Sequence, residues 1–225
     1  MSTTYDGKVT PGEGSQTFLV DCLEVSKVAV DPEMSNNCYL LRCTETEEQV
    51  LVDAAAEPDT LRELIGDAGL SAIVTTHQHW DHHRALHDLV RETNATTIAG
   101  APDADAITEQ TGCPIDREVG DGDTVTFGAC TLSVIAIAGH TPGSICLYYD
   151  GGEGKRHLFT GDSLFPGGVG ATFGDDEAFK QLIDEVSTKI FGELPDDVVF
   201  HPGHGDDGVL GNERSHLEEW RERGW

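Results

Sequence analysis

Basic residues are the scarcest feature of this 225-residue chain: 14 Lys and Arg stand against 41 Asp and Glu, a formal net charge of −27. A surface that acidic repels a phosphate backbone, so nucleic acid is not expected as a partner. In dilute salt so much like charge also weakens the compact state. Molar salt shortens the Debye length to ~3 Å and removes most of that repulsion. The composition therefore predicts a halophilic protein of a salt-rich cytoplasm. The acids are dispersed (Glu45, Glu47, Glu48, Asp53, Asp59, Asp103, Asp105, Asp175, Asp176 and Glu177) and not gathered in a tail, which predicts a solvated surface over an acidic interaction arm.

Long apolar runs are missing too. None approaches the ~18 residues that a membrane-spanning helix needs. Residues 1–16 are polar and rich in Gly, Thr and Ser, with no apolar secretory segment, and are expected to be a flexible lead-in. The remaining residues, 17–225, suffice for one substantial core and are expected to form a single domain. No CxxC pair occurs among the six cysteines, so neither a thiolate zinc site nor a redox motif is expected. Without a secretory signal, these cysteines are expected to be reduced thiols acting as small hydrophobes.

What is present reads as two similar halves. Thr17–Val25 reads as a first strand, and Asn37–Cys43 and Gln49–Asp53 as a pair joined by an acidic turn. Pro58 opens a helix through Leu61, Leu64 and Ile65. The strand Ala72–Thr76 follows, then a helix over 83–93, a short strand at Thr96–Ala99 and a short helix over 104–111. From Glu118 onward, apolar alternation predicts strands through Val125, Leu132, Val134 and Ile137, then Ser144–Tyr149 and His157–Thr160. A helix is predicted over 175–190, a last strand at Val198–Phe200 and a last helix over 212–223. Helices covering the outer faces of two packed sheets would satisfy this order.

The densest chemistry is His77-Gln78-His79-Trp80-Asp81-His82, where the buried strand Ala72–Thr76 should end. Imidazole and carboxylate together suit zinc, iron or manganese. Alternate residues of an extended segment point the same way, so His77 and His79 can approach one ion. Asp81 and His82 lie further on, where the chain bends, and can face a second.

The six-residue string resembles the His-x-His-x-Asp-His signature of the metallo-β-lactamase superfamily. Further matches follow in order: Gly139-His140-Thr141-Pro142-Gly143-Ser144, Gly161-Asp162-Ser163-Leu164-Phe165 and His201-Pro202-Gly203-His204-Gly205. The resemblance spans about residues 18 to 210. It implies an α/β, four-layer αββα sandwich with two divalent metal ions, zinc foremost with iron or manganese as alternatives. His77, His79 and His140 would hold the first ion; Asp81, His82 and His204 the second; Asp162 would bridge both. Asp81 and Asp162 would be the carboxylates of the catalytic group. His201 competes with His204, which the family pattern favours. His83 and His87 are expected to turn away from the strand end, and His157 and His216 to be solvated. The glycine-rich stretch Phe165–Gly170 is expected to be an irregular loop shaping the substrate cleft.

Within the superfamily the motifs are most similar to the glyoxalase II (hydroxyacylglutathione hydrolase-like) branch. That likeness implies hydrolysis of a thioester or related ester or lactone by a metal-bridging hydroxide, acting on a small-molecule substrate. Two departures bear on glutathione specificity. About twenty residues follow Gly205, where glyoxalase II carries a helical extension, and Ala171-Thr172-Phe173 lacks the Arg often found there. The alternatives are a mononuclear iron persulfide dioxygenase of the same fold, a β-lactam hydrolase, or a non-catalytic metal-binding protein.

Overall fold

The computed structural model describes residues 5–224. The first half begins with β1 (Ser15–Val20) and β2 (Leu23–Val30), an antiparallel hairpin that the apolar run Thr17–Val25 conceals. Asp21 reverses the chain there at φ 51°, a region that a short polar side chain tolerates better than a branched one. β3 (Asn36–Cys43), β4 (Gln49–Val52), α1 (Pro58–Ile65), β5 (Ala72–Thr75), α2 (Leu86–Thr93), β6 (Thr96–Gly100), α3 (Ala101–Thr111) and β7 (Arg117–Val119) follow. They complete a seven-stranded sheet in sequence order, β1 to β7. Its first four strands are antiparallel neighbours, and from β4 to β7 the pairing is parallel. Parallel neighbours need crossovers, and α1, α2 and α3 supply them.

The second half contributes β8 (Thr124–Phe127), β9 (Cys130–Ala136), β10 (Ile145–Asp150), β11 (Arg156–Gly161), β12 (Leu164–Phe165), β13 (Gly168–Val169), α4 (Asp176–Glu185), β14 (Val199–Pro202), β15 (Gly208–Val209), α5 (Leu210–Glu213) and α6 (Leu217–Arg223). Its main sheet has the order β15-β14-β11-β10-β9-β8. Three apolar clusters hold the layers together. Val25, Leu41, Val74, Phe127, Leu132 and Phe159 pack between the two sheets. Leu61, Ile65, Leu86, Leu89 and Ile107 seat α1–α3 on the outer face of the first sheet. Leu182, Val186, Ile190 and Trp220 seat α4, its π-helical continuation Val186–Phe191 and α6 on the outer face of the second. Three interfaces between four layers make the αββα sandwich.

The structure corrects the sequence reading in several places. Phe165–Gly170 is not irregular: Leu164 and Phe165 pair with Val169 and Gly168 as the hairpin β12–β13. The last helix is broken into α5, a 3-10 turn at Arg214–His216, and α6. Two acids taken for solvated surface, Asp53 and Asp103, are buried. Of the lead-in, residues 1–4 lie outside the described residues, but the following segment is tied down. Tyr5 donates its hydroxyl to Asp207, and the Gly7 carbonyl accepts from the buried Lys27 Nζ at 2.8 Å. The six cysteines are free thiols, five buried and Cys22 half-buried. No helix among the described residues is long and apolar enough to cross a membrane.

Candidate metal centre

Strand ends bring the site together. β5 runs into His77, and a single 3-10 turn, Trp80–His82, follows it and carries Asp81 and His82. His140 lies in the β9–β10 connection, Asp162 directly after β11, and His204 just beyond β14. All seven residues singled out in the sequence meet at this edge between the sheets. His79 Nδ1 lies 2.9 Å from His140 Nε2, which lies 3.3 Å from His77 Nε2. His82 Nε2 lies 3.3 Å from His204 Nε2, 3.6 Å from Asp81 Oδ2 and 3.4 Å from Asp162 Oδ1. Asp162 stands between the groups, its Oδ2 3.7 Å from His140 Nε2 and 3.5 Å from His204 Nε2.

The outer nitrogens explain why the inner ones are bare. His140 Nδ1 faces the Ala171 carbonyl at 2.7 Å, and His204 Nδ1 the Met34 carbonyl at 2.9 Å. A carbonyl only accepts, so both Nδ1 atoms carry the proton and both Nε2 atoms present a lone pair. His82 Nδ1 is held the same way by Asp53 Oδ2 at 2.8 Å. Thr76 Oγ1 gives its one proton to Asp53, so it accepts from His77 Nδ1 at 3.0 Å. Four imidazole lone pairs thus converge on a space they share with Asp81 and Asp162, and the Asn36 amide reaches its edge to donate to Asp81. Asp162 Oδ1 is buried without a hydrogen-bond partner. Lone pairs and carboxylates facing one another at 3.3–3.7 Å are what a bound cation would reconcile. The donor set fits divalent metal.

Backbone and buried carboxylates fix this geometry. Asp103 accepts from Gln78 N, Thr141 Oγ1 and Gly143 N at 2.9, 2.6 and 2.7 Å, clamping the His77 and His140 loops to the start of α3. Burial holds its carboxyl above the usual range. At Gly203 a Cβ would collide with Asp162 Oδ1 and come within 2.6 Å of the His82 ring; at Gly170 it would strike the Asp162 carbonyl. Only glycine lets these loops approach the centre. Neither Asp53 nor Asp103 stood out in the sequence, since an acid after a strand or early in a helix ordinarily faces solvent. The signal available was that Asp53 directly follows an apolar strand.

Electrostatically the site has two halves. Burial, and then the neighbouring imidazole His82, press the His77 pKa well below its ordinary value; burial chiefly does the same to His79 and His140. Burial also opposes charge on His82 and His204, but carboxylates outweigh it. Asp162 and Asp53 raise the first well above normal, and Asp162 and Asp81 bring the second to about 9. Asp162 is lowered although burial alone would raise it, because His82 and His204 face it. The His82–His204 half therefore attracts positive charge, and the His77–His79–His140 half offers neutral imidazole.

The other histidines fall elsewhere. His201 is fully buried in β14, where its Nδ1 meets Asp207 at 2.8 Å and its Nε2 meets His157 at 2.9 Å, so it belongs to the sheet interior. His157 is thereby partnered and half-buried, not solvated as its sequence surroundings suggested. His83 is buried, its Nε2 3.1 Å from the Gln78 carbonyl, while His87 and His216 are exposed. Over the centre opens a cleft of about 360 Å³, walled by Met34, Trp80, Phe165 and Phe173. Phe173, 79 % exposed at φ 55°, stands 5.7 Å from the His79 ring.

The chain is 33 % identical over 176 residues to a probable hydroxyacylglutathione hydrolase of Schizosaccharomyces pombe, covering 76 % of this chain and 64 % of that one. It spans 57–64 % of the length of the hydroxyacylglutathione hydrolases and hydrolase-like proteins it matches. Among solved structures, ETHE1 from Myxococcus xanthus superposes with a TM-score of 0.75 at 28 % identity, covering 88 % of this chain and 84 % of that one. TTHA1623, solved in a di-iron-bound form, gives 0.65 at 30 % identity, covering 83 % and 96 %. The sequence profile of the metallo-beta-lactamase superfamily matches residues 31–204, from the connection between β2 and β3 to the last histidine of the cluster, and the chain belongs to that superfamily.

Proposed function

We propose that this protein is a metal-dependent hydrolase that cleaves a thioester or a related ester or lactone. His77, His79 and His140 hold one divalent ion, Asp81, His82 and His204 a second, and Asp162 is shared between them. Two ions so placed supply Lewis acidity and activate water near neutral pH. The observation that carries the reading is the set of four outward-tied imidazoles whose free lone pairs converge with two carboxylates beneath an open cleft. A purely structural site closes with four protein ligands and no cleft. Zinc is the metal of choice for such a nitrogen and oxygen set, and a di-iron-bound relative supports iron as the alternative.

The chain's own residues set the specificity. Trp80, Phe165, Phe173 and Met34 offer apolar contact to an acyl group, and the cleft lining includes no Lys or Arg to hold an anionic tail. That favours a neutral substrate over a glutathione thioester. The phenyl ring of Phe173 stands over His79 and His140 and would shield the reacting carbonyl from bulk water. Residues 17–225 act as one domain in a salt-rich cytoplasm.

The test is an anaerobic assay on a panel of thioesters and lactones, followed by an aerobic assay on a low-molecular-weight persulfide with oxygen monitored. Zinc-supported hydrolysis without oxygen is expected. Iron-dependent oxygen uptake with no thioester cleavage would reassign the chain to the dioxygenases of this fold.

A further inference from the structure

Cys22, Cys43 and Cys130 meet at the end of the sandwich opposite the histidines. Cys22 lies in the β1–β2 turn, Cys43 ends β3, and Cys130 opens β9, so both sheets contribute. Their three Sγ atoms lie within 4.8 Å of one another, and those of Cys22 and Cys130 are 3.3 Å apart. β3 links the two places: Asn36 at its start donates to Asp81, and Cys43 closes its far end. Seven strand steps of roughly 3.3 Å each set them about 23 Å apart.

Packing as small hydrophobes accounts for buried cysteines taken one at a time. It does not account for donors aimed at sulfur. The Ala129 N–H donates to Cys43 Sγ at 3.3 Å. Gly128 turns at φ 54°, where a Cβ would collide with Thr46 Oγ1 and come within 2.7 Å of Cys43 Sγ. The β8–β9 turn is thus drawn tightly against that sulfur. Burial alone would raise the Cys43 thiol, yet the Ala129 N–H and the Thr46 side chain bring it down to about 7.

We propose that Cys22, Cys43 and Cys130 form a binding site for one thiophilic d10 cation, of which Cu(I) is the type. Three sulfurs with no imidazole or carboxylate in the group make a soft donor set that selects Cu(I) or zinc over hard cations. Sulfurs bonded to one ion at about 2.3 Å stand about 4 Å apart, a spacing compatible with three sulfurs that all lie within 4.8 Å of one another. Each coordinated thiol releases its proton to solvent and no electron is transferred, so binding strengthens as pH rises. Half-buried Cys22 provides the entry path.

The experiment uses reduced, anaerobic protein carrying its resident metals, titrated with Cu(I) delivered from a bicinchoninate complex. One equivalent should leave the chelator, with an ultraviolet sulfur-to-copper charge-transfer band and an X-ray absorption spectrum showing sulfur neighbours. Cys22→Ser and Cys43→Ser should lose this uptake, and Cys113→Ser, away from the cluster, should keep it. Thermal melting checks that each variant is folded. Should Cys43→Ser fail to fold, Cys22→Ser in its half-buried turn and the wild-type spectrum decide. Nitrogen neighbours, uptake indifferent to Cys22→Ser, or copper left on the chelator by the wild type would each overturn the proposal.

Discussion

Asp53 orients one imidazole from each half of the histidine cluster. Its Oδ2 takes the Nδ1 proton of His82 at 2.8 Å and also the hydroxyl proton of Thr76 at 2.8 Å, and Thr76 in turn accepts from His77. Its Oδ1 takes the Thr76 N–H at 2.7 Å. Asp53→Ala should therefore loosen both metal positions at once, by on the order of 10–100-fold in affinity. Metal content after graded chelator dialysis reads this directly. Wild-type retention would mean that the rings are held by packing alone.

His201 and His204, three residues apart, should behave oppositely. His204→Ala removes a lone pair from the centre and should empty the Asp81–His82 position. His201→Ala leaves the half-buried His157 Nδ1 without its partner, at about 1–3 kcal/mol for an unsatisfied group, while Asp207 keeps Tyr5 and Lys27. It should lower the unfolding midpoint and leave metal content near that of the wild type. Metal analysis paired with urea unfolding distinguishes them, and the reverse pattern would overturn the ligand assignment.

Much of this centre was legible because metal chemistry needs particular side chains at strand ends. His77, His79, Asp81 and His82 share one short string, and His140, Asp162 and His204 sit in recognisable Gly-containing turns. The supporting carboxylates were not legible. Asp53 and Asp103 differ from the surface acids only in what the fold packs over them. In a chain with 41 acidic residues, composition hides them. The β1–β2 hairpin was missed for a related reason. One residue, Asp21 at φ 51°, turns a run whose apolar pattern continues on both sides. The fate of Phe165–Gly170 depended on tertiary support: Arg223 donates to the Gly167 carbonyl at 2.6 Å, and the Gly167 N–H donates to Glu213.

His157 should make the fold acid-sensitive over a defined window. Burial, and then the adjacent His201, bring its pKa from 6.5 down to about 4. Below pH 6.5 the unfolded chain takes up a proton that the folded chain refuses until about pH 4. Its contribution to stability is therefore complete above 6.5, falls as the pH drops toward 4, and changes no further below that. His157→Gln can still face His201 but does not titrate. Between pH 7 and 4, urea midpoints of the wild type should fall more steeply than those of His157→Gln. Parallel curves would remove His157 from the account of acid sensitivity.

Salt should stabilise this protein, and two opposing effects decide by how much. Its few cations are largely committed to carboxylates: Arg42 to Glu24 and Glu47, Arg62 to Asp59 and Glu92, Arg156 to Asp150 and Asp197, Arg221 to Asp184. Screening weakens these pairs, but exposed pairs are worth only ~0–1 kcal/mol each. The uncompensated charge of −27 is repelled across the whole surface, and screening relieves all of that repulsion together. Relief should win. The buried Lys27–Asp207 pair, at 2.7 Å and shielded from solvent, should hardly respond. The melting temperature is thus expected to climb steeply from near-zero to molar KCl, most of the gain arriving as the Debye length falls below ~10 Å. Reversing surface acids such as Glu45, Glu48 and Glu177 to Lys should raise the low-salt melting temperature and flatten the slope. A wild-type melting temperature that stays flat across the range would show that the acidic surface costs the fold nothing in dilute salt.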